Sequence, residues 1–184
     1  MTLSAHAVVG ASVASIMPSH PVLGFVAGFG SHFLSDAIPH WDCFHLLKSV
    51  KKDDKNPINT ELIFNKNFLG DLFKIGSDGI LGLLLVYLIF IFPGTFSTIA
   101  VLAGAIGGMI PDFFIFVQMK LKCEPFTSLR KFHMWIHSKI QFDNRPVLGI
   151  SLQVIIVAFL VPVCGSLWQI GEPPHLIAIS LFHF

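Results

Sequence analysis

All 12 lysines and arginines of this 184-residue chain fall in two stretches, Lys48–Lys74 and Lys120–Arg145. Everything outside them is free of basic side chains and largely apolar. A membrane imposes such segregation, because a charged side chain in hydrocarbon is expensive. Charged residues are 12% of the chain, against about 25% in a typical soluble domain. Hydrophobic residues are 53% and mean hydropathy is +0.72. The expectation is an all-α, polytopic membrane helix bundle.

Five segments are apolar enough to consider as spans: Leu3–Met17, Val22–Ile38, Ile80–Phe92, Thr98–Val117 and Val147–Trp168. A spanning helix needs roughly 20 residues, and the third approaches that only if Asp78 and Gly79 join it. The chain then reads as one integral membrane domain of about five transmembrane helices. Residues 1–42 form a first hairpin, 43–75 a cytoplasmic loop and 76–117 a second hairpin. Residues 118–146 form a second cytoplasmic loop and 147–169 the last helix. The hairpin turns are Pro18-Ser19-His20-Pro21 and Pro93-Gly94-Thr95.

Excess Lys and Arg mark the cytoplasmic side. That places both basic loops and the N-terminus in the cytoplasm, with the bilayer, read as a prokaryotic plasma membrane, as partner. The N-terminus lacks the basic region of a signal peptide. A net charge of +1 gives no reason to expect a nucleic-acid partner. Cys43, Cys123 and Cys164 match no zinc spacing and read as free thiols.

With this topology the intramembrane polar residues gather at one face. His6 opens the first segment, His32 and Asp36 close the second, Asp78 precedes the third and Asp112 closes the fourth. His40, Asp42, His133 and His137 lie in the adjoining loops, while the opposite face receives only His20, Glu172, His175 and His183. In steps of four, the helix faces read His6-Gly10-Ala14, Gly24-Gly28-His32-Asp36, Asp78-Gly82 and Gly104-Gly108-Asp112. Small residues repeated every fourth position are where membrane helices pack closely, so the polar groups point inward. Ala27-Gly28 followed by Asp36 matches Ala103-Gly104 followed by Asp112, which suggests an internal repeat around one site.

Pro39 pushes the preceding residue out of the α region. The second helix therefore ends near Ile38, with His40 on an extended exit. Leu129, Phe132, Ile136 and Ile140 share a face of an amphipathic, interfacial helix on which His133 and His137 are one turn apart. Residues 56–75 are expected to hold a second such helix, carrying Ile58, Leu62, Leu69 and Leu72.

Histidine and aspartate one helical turn apart are ready metal ligands. The candidate ligands are His6, His32, Asp36, His40, Asp78, Asp112, His133 and His137. Mixed His and Asp donors suit zinc or manganese. Asp78 at a helix start also fits a purely electrostatic role, since helix N-termini favour anions.

The run SHFLSDAIPHWD resembles the His-x3-Asp motif of the zinc-dependent phospholipase C superfamily. GGMIPD, HMWIHS and the early His6 are similar to motifs of the membrane-bound metal-dependent hydrolases of bacteria. The resemblance implies metal-binding roles for His6, His32, Asp36, Asp112 and His137. Asp112-Phe113-Phe114-Ile115 stands where that pattern has Asp-x-Asp-His, and Ile136 where it has Thr.

The reading these features support is a membrane-embedded metal-dependent hydrolase acting on a phosphoester, phospholipid or other lipid-linked substrate at the cytoplasmic face. Two alternatives remain at this point, a metal-ion or proton transporter and a non-enzymatic scaffold with a structural polar cluster.

Overall fold

The computed structural model describes residues 1–53 and 55–171. Glu172, His175 and His183 lie outside them. The described residues form six α-helices and one small hairpin: α1 (Leu3–Ser15), α2 (Pro21–Asp36), β1 (Val50–Lys51), β2 (Glu61–Leu62), α3 (Phe68–Val86), α4 (Thr98–Leu121), α5 (Phe126–Ile136) and α6 (Pro146–Gly171). A π-helical turn, Tyr87–Ile91, extends α3.

Three helices are long and apolar enough to cross a membrane: Phe68–Ile91, Thr98–Leu121 and Pro146–Trp168. The other two expected spans are shorter, 13 residues for α1 and 16 for α2. The physical reason for α1 is enclosure. It packs against α2, α3, α4 and α6, and its run Ala5–Ser12 is buried throughout. A helix surrounded on every side is better served by Ala, Gly and Ser than by bulky apolar residues. α2 turns Val22, Leu23, Val26 and Leu34 outward.

α3 begins at Phe68, well before the expected Asp78–Ile80. Its first turns carry Asp71 and Lys74, which break the hydropathy signal, but neither is stranded. Asp71 accepts from the Lys48 and Ser49 amides, each at 2.7 Å, and pairs with Lys74 at 3.1 Å. The expected amphipathic helix in residues 56–75 does not form as one unit. Leu69 and Leu72 lie on α3, Ile58 lies in a 3-10 turn (Pro57–Asn59), and Leu62 lies in β2, which pairs antiparallel with β1.

Glycine lets the three central helices meet. A Cβ on Gly10 or Gly28 would run into the Gly104 carbonyl, and one on Gly108 into the His6 carbonyl. α1, α2 and α4 thus touch backbone to backbone along the stripes that carry His6, His32, Asp36 and Asp112. From beside His6 toward the far end of the bundle, Ala7, Val8, Ala11, Val86, Phe90, Val101 and Ala105 form an apolar core.

Gly104→Val is expected to destabilise the bundle strongly, since overpacking alone costs ~1–3 kcal/mol and here the obstacle is backbone. Thermal unfolding in detergent is the check. A variant melting within about a degree of wild type, far less than the several degrees that 1 kcal/mol represents, would show that α1 and α4 do not meet as described.

Candidate metal centre

Asp36, the last residue of α2, is the hub. Its carboxylate is 1% exposed, and five imidazoles aim Nε2 at it. The distances are 3.2 Å from His6, 3.3 Å from His32, 3.5 Å from His40, 2.8 Å from His133 and 3.9 Å from His137. Asp112 of α4 faces the same space, 3.7 Å from His32 Nε2 and 4.0 Å from His6 Nε2. The Met1 ammonium lies on Asp36 Oδ1, so that oxygen already has a cationic partner that a metal ion would have to displace.

Each ring is aimed by a separate contact. His32 Nδ1 donates to the Gly108 carbonyl at 2.8 Å, reaching past a residue with no side chain. His40 Nδ1 donates to Ile38 O at 2.7 Å, and His137 Nδ1 to Ser138 O at 3.1 Å. Ser35 spends its hydroxyl proton on His32 O at 2.9 Å and so accepts from His6 Nδ1 at 3.2 Å. A carbonyl oxygen can only accept, so these rings carry their proton on Nδ1. When these rings are neutral, their Nε2 atoms are lone pairs facing a carboxylate. His6, His32 and His40 Nε2 are buried without a hydrogen-bond partner.

Lone pairs converging on a carboxylate repel one another unless a cation stands between them. Metal-bound histidines commonly give their other ring nitrogen to a carbonyl or carboxylate, which is the pattern here. Donors around one ion stand no more than roughly 4–4.4 Å apart for bonds of ~2.0–2.2 Å, and the separations from Asp36 fall inside that. The donors form two groups that share Asp36: His32, Asp36, Asp112 and His133, and Asp36, His40 and His137. The residues present therefore fit one divalent ion, or two with Asp36 between them.

The surrounding chain explains the convergence. Ser138 N donates to Asp36 O at 2.8 Å and Phe142 N to His40 O at 3.1 Å, stitching the exit from α2 to the segment after α5. His40 and His137 are brought together this way, with ring centroids 4.8 Å apart. Arg130 of α5, buried, donates to Gln118 Oε1 and to Pro57 O, fastening α5 over the site with His133 inward. Gln153 of α6 accepts from Thr2 N and Oγ1, both at 3.0 Å, and donates to Trp41 O at 2.7 Å.

The structure thus gathers His6, His32, Asp36, His40, Asp112, His133 and His137. Asp78 stands apart. Its oxygens accept from Leu3 N at 2.6 Å and from Ser4 Oγ at 2.6 Å, holding the first turn of α1. An anion at a helix N-terminus is favourable, so Asp78 is accounted for without a metal. A smaller group, Asp42, His45 and Asp143, lies outside the cluster and is half-exposed. Ser35, Arg130 and Gln153 carry the positioning, and of these a lone glutamine in an apolar run had the clearest sequence signal.

No protein-family profile, curated protein sequence or solved structure matches the chain.

Burial, reinforced by the Met1 ammonium, lowers the His40 pKa from 6.5 to about 4. The unfolded chain takes up this proton near 6.5 and the folded one only near 4, so stability is full above 6.5 and is lost as pH falls toward 4. The slope is at most about 1.4 kcal/mol per pH unit. Metal-free wild type should therefore lose more thermal stability than His40→Asn between about pH 7 and about pH 5; parallel losses would refute the assignment. Asp78→Asn should lower the melting temperature, since a hydrogen bond to a charged group is worth ~1.5–3 kcal/mol, while metal content by elemental analysis stays at the wild-type level.

Proposed function

We propose that the chain is a membrane-bound metal-dependent hydrolase whose reactive centre is the cluster around Asp36. The observation that carries this reading is the set of Nε2 lone pairs fixed in direction around one buried carboxylate. His32, Asp36, Asp112 and His133 would hold one divalent ion, and Asp36, His40 and His137 a second, with His6 beside them. Zinc and manganese are the ions such a donor set suits. A divalent ion held there would lower the pKa of its water to about 7 and polarise a phosphoryl oxygen.

The chain's own groups supply the rest. Asp112 is 22% exposed and lines the cavity beside the cluster, so it faces an incoming substrate while Asp36 is sealed behind it. His133 keeps a proton on Asp36 Oδ2 through Nε2, and its Nδ1 is unpartnered. To bind an ion through Nε2 it would have to release that proton or move it to Nδ1. A phosphoester is the substrate type we favour.

Transport of an ion needs polar groups along a path through both membrane halves. Among the described residues, the end of the bundle opposite the cluster is the apolar core around Val86, Phe90 and Val101, which favours a site open to one side. A scaffold would leave the lone-pair convergence without a purpose.

We place the N-terminus and both basic loops in the cytoplasm, with α1 and α2 completing a five-helix bundle in the bilayer. Cys123 is exposed and is the reporter for this. Cys43 is a poor one, because burial pushes its thiol up to about 11. An impermeant maleimide should label Cys123 in inverted membrane vesicles but not in intact cells; labelling in intact cells would reverse the orientation.

Purified wild type is expected to carry a divalent transition metal, and His32→Ala with Asp36→Ala to carry none. Occupancy should fall as pH drops below about 6.5, because ligand histidines must be neutral. Elemental analysis decides. Wild-type metal content in the double variant would remove these residues from the ligand set, and a wild type that never takes up metal would end the hydrolase reading.

A further inference from the structure

We propose that the substrate is a membrane lipid that approaches sideways from the bilayer, seating its chain between α3 and α4 and its anionic headgroup on the Asp36 cluster. This rests on the hydrolase reading above.

The observation behind it is a cavity of about 1020 Å³ beside the cluster, reaching the faces of α3 and α4. Its inner end is formed by Asp36, Asp112, His133 and His137. Two of its walls are apolar, Phe68, Leu72 and Ile75 from α3 and Met109, Ile110 and Phe113 from α4, while loop residues such as Asp42, Lys52 and Asp53 line the rest. These positions repeat at helical spacing, so each helix gives the cavity one continuous face. α3 leans mainly on α1 and touches α4 little, although the two are consecutive. The space between them is what that leaning leaves open.

Both walls belong to helices that can cross a membrane. Leu72 and Phe113 are 53% and 61% exposed, so the walls continue onto the outer surface that such helices present to lipid. A chain can then enter the slot along these apolar helix faces at the membrane boundary. Lipid tails are as apolar as leucine, so the slot gains a chain little affinity and mainly fixes its position. Affinity must come from the headgroup. Lys52 and Lys139 also line the cavity, but so do Asp42, Asp53, Asp71 and Asp78, so an anionic headgroup would depend on an ion held by the cluster.

Size and chemistry disfavour a water-soluble phosphoester. Ligand pockets span ~300–1,000 Å³, so this cavity is at the upper end, far larger than a headgroup needs. A small polar substrate would leave most of the apolar helix walls uncovered.

The test uses full-length protein taken from vesicles of phosphatidylcholine and phosphatidylglycerol, with retained lipid read by native mass spectrometry and metal by elemental analysis on the same samples. Wild type should retain phosphatidylglycerol. Ile110→Trp, which fills the slot, should reduce retention by about tenfold while metal content stays at the wild-type level. Leu72→Trp does the same from a more exposed position, so the test survives if Ile110→Trp fails to fold. Val154→Trp, on the outward face of α6 at 60% exposure, should retain lipid as wild type does. Wild type retaining no lipid, or slot variants retaining as much as Val154→Trp, would overturn the lipid proposal. Lipid retention with no metal in wild type would instead overturn the hydrolase reading.

Discussion

The buried charge of Asp36 organises this molecule. A carboxylate removed from water must be compensated or it neutralises; here the Met1 ammonium and the His133 Nε2–H reach it directly, and the other groups that converge on it come from across the chain. His6 arrives on α1, His32 on α2 itself, Asp112 on α4, His133 on α5, and His40 and His137 on two stitched loops. The close backbone contact at Gly10, Gly28, Gly104 and Gly108 is the scaffold that makes this possible. Side chains of any size at those positions would push the donors out of each other's reach.

Much of the helix layout was legible because apolar runs and their turns are local. The ends of α4 and the start of α6 fall close to the hydropathy boundaries. What was not legible depended on partners far away in sequence. The early start of α3 is tolerable only because loop amides at Lys48 and Ser49 bond Asp71. β1 and β2 are two-residue strands, too short to leave a periodic signal.

The site shows the same division. Small-residue stripes put His6, His32, Asp36 and Asp112 on inward faces, and the structure brings these four together. Gly28 and Gly104, the matching positions of the suggested repeat, do meet, but the repeat fails at its openings. His6 joins the cluster, whereas Asp78 turns to the first turn of α1. Both are ionisable groups near a helix start, and no local feature of the sequence separates a ligand from a cap. His40 lies beyond Pro39, and what returns it to the cluster is the backbone bond from Phe142 to its carbonyl, a contact invisible in one dimension.

α5 has one further consequence. It is a short helix fastened over the site by few groups, chiefly Arg130 and His133. Any ion held through His133 would tie α5 to α2, linking parts of the chain that are 97 residues apart. Ligands that bind only the folded state stabilise it by mass action, and the least anchored segment opens first. The segment from Lys122 to Arg145 is therefore the part of the protein whose protection from proteases would track metal supply. If the Asp36 cluster holds an ion, its loss would expose that segment to cleavage before the rest of the bundle loosened.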